Sequence, residues 1–180
     1  MVDPNKKINI DAIQQAIGII NFKKYDLLIN ALTHPSHVNA QTNLTQQQKE
    51  QHNLEYRRLA HLGDAVLGAI VTDYLYHPPI PHFSPEVLTH LKSQLVDRSK
   101  LSQFARELKL MQFAVFGQGI EKITQTEPNR LLSETFEALI GAIYLEFDRD
   151  FARTGEWIIN NFIKEDEPKR RTRLVGLFTY

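Results

Sequence analysis

In LLSETFEALIGAI, residues 131–143, Glu134 and Glu137 stand three apart in a segment whose apolar residues recur with helical period. On a helix that spacing puts both carboxylates on one face, where they can converge on a single cation. Leu131, Leu132, Phe136, Leu139, Ile140, Ala142 and Ile143 surround them, so at least one acid is expected at the edge of a core. A buried carboxylate without a partner is costly, and a metal ion or basic side chain should therefore lie nearby. A third acid, Asp64, falls between Leu62 and Val66 in HLGDAVLGAIVTDYL, residues 61–75, where other charges are sparse and Gly63 and Gly68 leave room for a second helix. From the residues alone, such acids make a structural salt-bridge set as readily as a metal site. If they do hold a metal, oxygen ligands in a chain with no cysteine favour Mg²⁺ or Mn²⁺ over Zn²⁺. His34 and His37 flank Pro35 and read as a turn and helix cap rather than as zinc ligands.

The elements that must position these acids are helical. Apolar residues repeat at three and four spacings through Ile8 to Ile20, Tyr25 to Leu32 and Leu59 to Leu75, and no strand pattern is evident. The polar run 39–53, rich in glutamine, reads as a loop or a solvated helix start, and Asn43-Leu44-Thr45 as a polar loop rather than a glycosylation site. Prolines in 76–86 stop the third helix, and Ser84-Pro85-Glu86 starts another carrying Val87, Leu88, Leu91, Leu95 and Val96. Asp97 is placed to cap a helix through Leu101, Phe104, Ala105 and Leu108; a glycine-containing loop follows over 113–129, then two long helices at roughly 130–147 and 149–164. A charged tail, 165–180, carries Lys169, Arg170, Arg171 and Arg173 and reads as a solvated terminus or a set of phosphate contacts.

Composition bounds the reading. A chain of 180 residues, 42% hydrophobic, builds one well-buried core, so a single domain over 1–164 is expected. With 21 basic and 21 acidic residues, nucleic-acid binding through net charge is excluded, and any such binding needs a local patch. The lack of cysteine excludes disulfides and thiolate metal sites. Without a signal-like N-terminus or an apolar run of about 20 residues, a soluble, cytoplasmic protein is expected, with no membrane partner.

Four segments in order resemble the ribonuclease III family. HNLEYRRLAHLGDAVLG resembles its signature stretch, close to HNERLEFLGDAVL, and LLSETFEALIGAIYLE its second acidic motif. ALTHPSHVN, residues 31–39, and LTHLKSQLVDRSKLSQFA, residues 88–105, resemble its ALTHxS element and middle helices, so the likeness spans about 8–164. The resemblance implies an all-α endonuclease domain working as a symmetric homodimer, with double-stranded RNA in a valley across both subunits and Mg²⁺, or Mn²⁺ in its place, held by carboxylates. Mapped onto this chain, Asp64, Glu134 and Glu137 are the catalytic and metal-binding residues. Arg57, Arg58, His61, Lys92, Arg98 and Lys100 could form a cationic rim along the RNA backbone, though each singly reads equally as a solvated charge.

The departures are as informative. The two glutamates of the family's ERLEFLGD become Arg57 and Ala60, and the second is a direct metal ligand in the family. His61 replaces a phenylalanine that packs into the partner subunit, and the acid ahead of the middle helices is present only approximately, as Glu86. Glu55 stands too far along a helix to replace Ala60, so water is the expected substitute. With no double-stranded RNA-binding domain after the last helix, the sequence resembles the minimal, nuclease-domain-only branch, which processes structured RNA such as ribosomal RNA precursors. The expected function is cleavage of double-stranded or structured RNA; the alternative is a catalytically impaired relative that binds structured RNA or ribosomal particles without cutting.

Overall fold

The computed structural model describes residues 7–77, 83–117 and 128–164. Among them the elements are α1 (Ile10–Ile17), α2 (Tyr25–Leu32), α3 (Pro35–Ala40), α4 (Gln46–Tyr76), α5 (Pro85–Val96), α6 (Arg98–Glu107), the short α7 (Leu110–Phe113), α8 (Pro128–Glu146) and α9 (Phe151–Ile158), which runs on into a π-helical turn, Ile159–Ile163. The one strand-like feature among the described residues is an isolated parallel bridge between Thr33 and Val115. The all-α expectation is therefore met. The charged tail 165–180, with its four basic residues, and most of the loop ahead of α8 lie outside the described residues.

Local chemistry explains most of the boundaries. The polar run resolves into a short loop and the first turns of α4. Thr45 closes a capping box there, its Oγ1 accepting from the Gln48 N–H at 3.2 Å while its own N–H donates to Gln48 Oε1 at 2.9 Å. That cap lets a polar helix start ten residues before its first fully buried side chain, Tyr56. The periodicity from Ile8 to Ile20 narrows to α1, because Gly18 adopts φ 67° and ends the helix in the left-handed region. His34 is the N-cap of α3, its Nδ1 accepting from the Ser36 N–H at 3.1 Å, and Asp97 caps α6 by accepting from the Lys100 N–H at 2.7 Å. Ser84 holds the N-cap position of α5, followed by Pro85.

α8 is the central element. Phe136, Ala138, Leu139, Ile140, Ala142 and Ile143 are fully buried, against Leu67, Ile70 and Val71 of α4 and Leu101, Phe104 and Ala105 of α6. Burying such side chains contributes about 1.5–3 kcal/mol each before entropy is subtracted. At the far end Phe104, Phe136, Trp157 and Phe162 form an aromatic cluster, and the Trp157 indole N–H donates to the Ile17 carbonyl at 2.7 Å, tying α1 to α9. The Glu146 carboxylate at the end of α8 accepts the N–H groups of Lys23 and Lys24, both at 2.9 Å, and so caps the start of α2 from across the chain.

Candidate active site

The acids sit where α4 crosses α8. At the crossing the two main chains touch: a Cβ on Gly63 would stand 1.8 Å from the Glu137 carbonyl oxygen, and one on Gly141 would stand 2.2 Å from the Leu59 carbonyl oxygen. No other residue fits at either position, so the expectation that Gly63 admits a second helix is met by backbone contact. Gly68 serves differently, since what lies over it is the Lys92 side chain of α5, with Cε and Nζ 3.5 Å from the position of an added Cβ. Because Asp64 follows Gly63 directly, the contact carries Asp64 to the Glu137 side of α8.

Glu134 and Glu137 are both half-buried and Asp64 is exposed. The two glutamates lie at the core edge as expected, but Asp64 is more open than its apolar neighbours imply. Burial, then the charges of Asp64 and Glu134, push the Glu137 carboxyl up to about 7, while the Arg98 guanidinium opposes them. Among the described residues, none of the three carboxylates accepts a hydrogen bond or makes an ion pair; the direct ion pairs between described side chains are Lys24–Asp148 and His77–Asp73. This rules against a structural salt-bridge set and leaves a cluster of negative charge facing one guanidinium.

Such a donor set suits a hard cation in type. As the side chains stand, no group of three acids or histidines among the described residues is gathered closely enough to share an ion. Mg²⁺ normally binds through one or two carboxylates and keeps several waters, so these residues fit it with water completing the shell. Ala60, on the α4 face toward α8, is 6% exposed and offers no ligand atom. Glu55 is engaged elsewhere, accepting from Asn30 Nδ2 at 2.9 Å.

The remaining sequence-predicted residues divide. Asp64 and Lys92 line one groove of about 820 Å³ that runs along α4 past Gly68, Thr72 and Asp73 to Tyr76, with Phe151 opposite. Arg57, Arg58 and His61 are exposed on α4 before the crossing, and Arg98 acts on Glu137. Lys100 lies 4.8 Å from the Phe104 ring centroid and donates to Gln103, so its amine is drawn to α6. Glu86 is exposed, a hydrogen bond from Ser84 holds its carboxyl below the usual range, and it is not among the charges acting on Glu137. The His34 ring accepts from the Ser36 N–H and the His37 ring lies 3.0 Å from the Gln41 amide, so each is engaged by its own helix.

Sequence reasoning missed Tyr56, Thr135 and Gly141. Tyr56 is fully buried, and its hydroxyl lies 3.1 Å from Thr135 Oγ1, next to Glu134. Burial foremost raises its phenol well above the usual range, and Glu134 and Glu137 add to it. The available signal was the stripe Tyr56, Leu59, Ala60, Gly63, Leu67, which puts a phenol on the face that meets α8.

Residues 24–166 match the family described as Ribonuclease-III-like. The chain belongs to that family. Two nuclease-domain structures of ribonuclease III from Campylobacter jejuni superpose with TM-scores of 0.69 and 0.66 at 30% and 29% identity, covering 87% of this chain and 97% and 95% of theirs. The first was described for structural flexibility in a region involved in dimer formation. Ribonuclease 3 of Blochmanniella pennsylvanica is 36% identical over 155 residues, 86% of this chain and 59% of that protein; that of Bacillus cytotoxicus is 39% identical over 135 residues, 75% and 51% respectively. The chain thus spans between half and three fifths of the length of these relatives. Among the described residues no helix is long and apolar enough to cross a membrane.

Proposed function

We propose that this chain is a ribonuclease III-type endoribonuclease that hydrolyses phosphodiester bonds of double-stranded or structured RNA in the cytoplasm, as a symmetric homodimer, with ribosomal RNA precursors a candidate substrate. The observation that carries it is Glu137, a half-buried carboxylate that feels the charges of Asp64 and Glu134 and that, among the described residues, has no hydrogen-bond or ion-pair partner. Kinship to proteins named Ribonuclease 3 and to a ribonuclease III nuclease domain supports the reaction class.

Asp64, Glu134 and Glu137 would hold Mg²⁺, or Mn²⁺ in its place. Such an ion activates a water and offsets the charge that develops on the phosphate. Binding it requires Glu137 in its ionised form. Arg98 stands by Glu137 and can meet a non-bridging phosphate oxygen, and Lys92, fixed over Gly68 in the Asp64 groove, can hold the backbone beside the scissile bond. Arg57 and Arg58 extend positive charge along the exposed side of α4, and Lys100 contributes only by leaving Phe104. RNA read in this way is recognised by phosphates and shape.

A second reading, binding of structured RNA without cutting, is favoured by Ala60, where α4 offers no ligand. Cleavage of a long duplex RNA, assayed with Mg²⁺ and then Mn²⁺ beside Glu137→Gln, separates the two. The first reading expects cleavage that the variant loses; duplex binding without cleavage in either protein supports the second. Cleavage persisting unchanged in the variant indicates a contaminant and removes the enzyme reading.

A further inference from the structure

We infer that Tyr56 and Thr135 are positioning residues whose buried hydrogen bond sets the spacing of Asp64 from Glu134 and Glu137. Thr135 Oγ1 donates its only proton to the Leu131 carbonyl at 2.9 Å, so at the 3.1 Å contact the Tyr56 hydroxyl is the donor and Thr135 the acceptor. The bond has a defined direction, joins α4 to α8, and lies beside Glu134. Main chain meets main chain at Gly63 against the Glu137 carbonyl and at Gly141 against the Leu59 carbonyl, which sets where α4 lies on α8. The Tyr56–Thr135 bond lies beyond these contacts toward the start of α4 and, with them, fixes how α4 is rotated on α8.

That rotation matters because α4 supplies one carboxylate. Ala60, between Tyr56 and Asp64 on the same side of the helix, has no ligand atom, so an ion cannot tie α4 to α8 through two side chains of α4. The placement of Asp64 then depends on how the helices are held, and the Tyr56 hydroxyl is a buried polar side-chain atom of α4 hydrogen-bonded to α8. This role rests on the metal reading above.

Tyr56→Phe is a clean test, because Thr135 keeps its bond to Leu131 and no buried group is orphaned. In metal-free protein titrated with Mn²⁺ by calorimetry, the variant is expected to bind about fivefold more weakly, the equivalent of about 1 kcal/mol. On duplex RNA, kcat falls with KM unchanged, because the substrate contacts are intact. Thr135→Val should behave likewise, and Thr135→Ser, which keeps the hydroxyl, should restore wild-type binding. Thermal melting confirms that each variant is folded. A folded Tyr56→Phe protein that binds Mn²⁺ as tightly as wild type overturns the positioning role and leaves the metal reading standing. A wild-type protein that binds no Mn²⁺ overturns both.

Discussion

Glu137→Gln separates what the site costs the fold from what it gives to function. The Glu137 carboxyl is raised from 4.5 to about 7 by burial and by Asp64 and Glu134. A folded state that holds its proton more tightly than the unfolded chain is relatively favoured at low pH, below about 4.5, where both states are protonated. That advantage is lost as pH rises from about 4.5 through about 7, because the folded state must then either keep a proton that the unfolded chain has released or bury a charge. At about 1.4 kcal/mol per tenfold change in proton affinity, the shift corresponds to about 3 kcal/mol, reduced to about 2 kcal/mol because Glu137 is only half-buried. Glutamine has the same shape and no charge, so metal-free Glu137→Gln should be the more stable protein at pH 8 and indistinguishable from wild type at pH 4.5. For a chain of this size about 2 kcal/mol is roughly 4–8 °C in melting temperature. Melting of both proteins in chelator across that pH range is the assay. An equal shift at both pH values, or none at pH 8, would refute the electrostatic account of the cluster. The same substitution should abolish Mn²⁺ binding by calorimetry, leaving a more stable and inactive protein.

Three further outcomes are expected. Ala60→Glu should tighten Mg²⁺ binding, because it restores a carboxylate one turn before Asp64, and should also lower metal-free stability, because position 60 is 6% exposed; calorimetry and melting read the two effects separately, and unchanged Mg²⁺ affinity would count against a shared site. Gly63→Ala puts a Cβ 1.8 Å from the Glu137 carbonyl oxygen, so α4 and α8 must separate; a loss of about 2–3 kcal/mol in denaturant unfolding is expected, and a neutral result would contradict the main-chain contact. His34 is held near pKa 4 by burial and then by Arg130 and His52, below its ordinary 6.5. Its contribution is complete above about 6.5 and is lost as pH falls toward 4, by up to about 3 kcal/mol; because Glu137 acts in the opposite sense over this window, the difference in unfolding free energy between Glu137→Gln and Glu137→Gln/His34→Asn, measured from pH 7 to 4, should show that slope, and a pH-independent difference would refute it.

The sequence placed Asp64, Glu134 and Glu137 correctly on helices because helical period and apolar neighbours are local properties. It placed the cap residues His34 and Asp97 for the same reason, but not Thr45, whose capping box with Gln48 starts α4 and was concealed by the polar composition of the run. What it did not show is pairing across the chain. The Tyr56–Thr135 bond spans 79 residues, and Lys100 turns to Phe104 rather than outward, because ring contact competes with hydration. Glu86 looked like a site acid and proves to be a helix-start residue bonded to Ser84, a distinction that depends on where α5 points.

The glycines at the crossing also limit how such a site can change. Since the helices meet main chain to main chain at Gly63 and Gly141, no side chain lies between them to act as a spacer. Substitutions can alter which groups face the gap, as Ala60 does, but cannot widen it by small increments. The groups at this site are therefore open to substitution while its gauge is fixed, and a chain that loses a ligand here keeps a mount to which one can be restored.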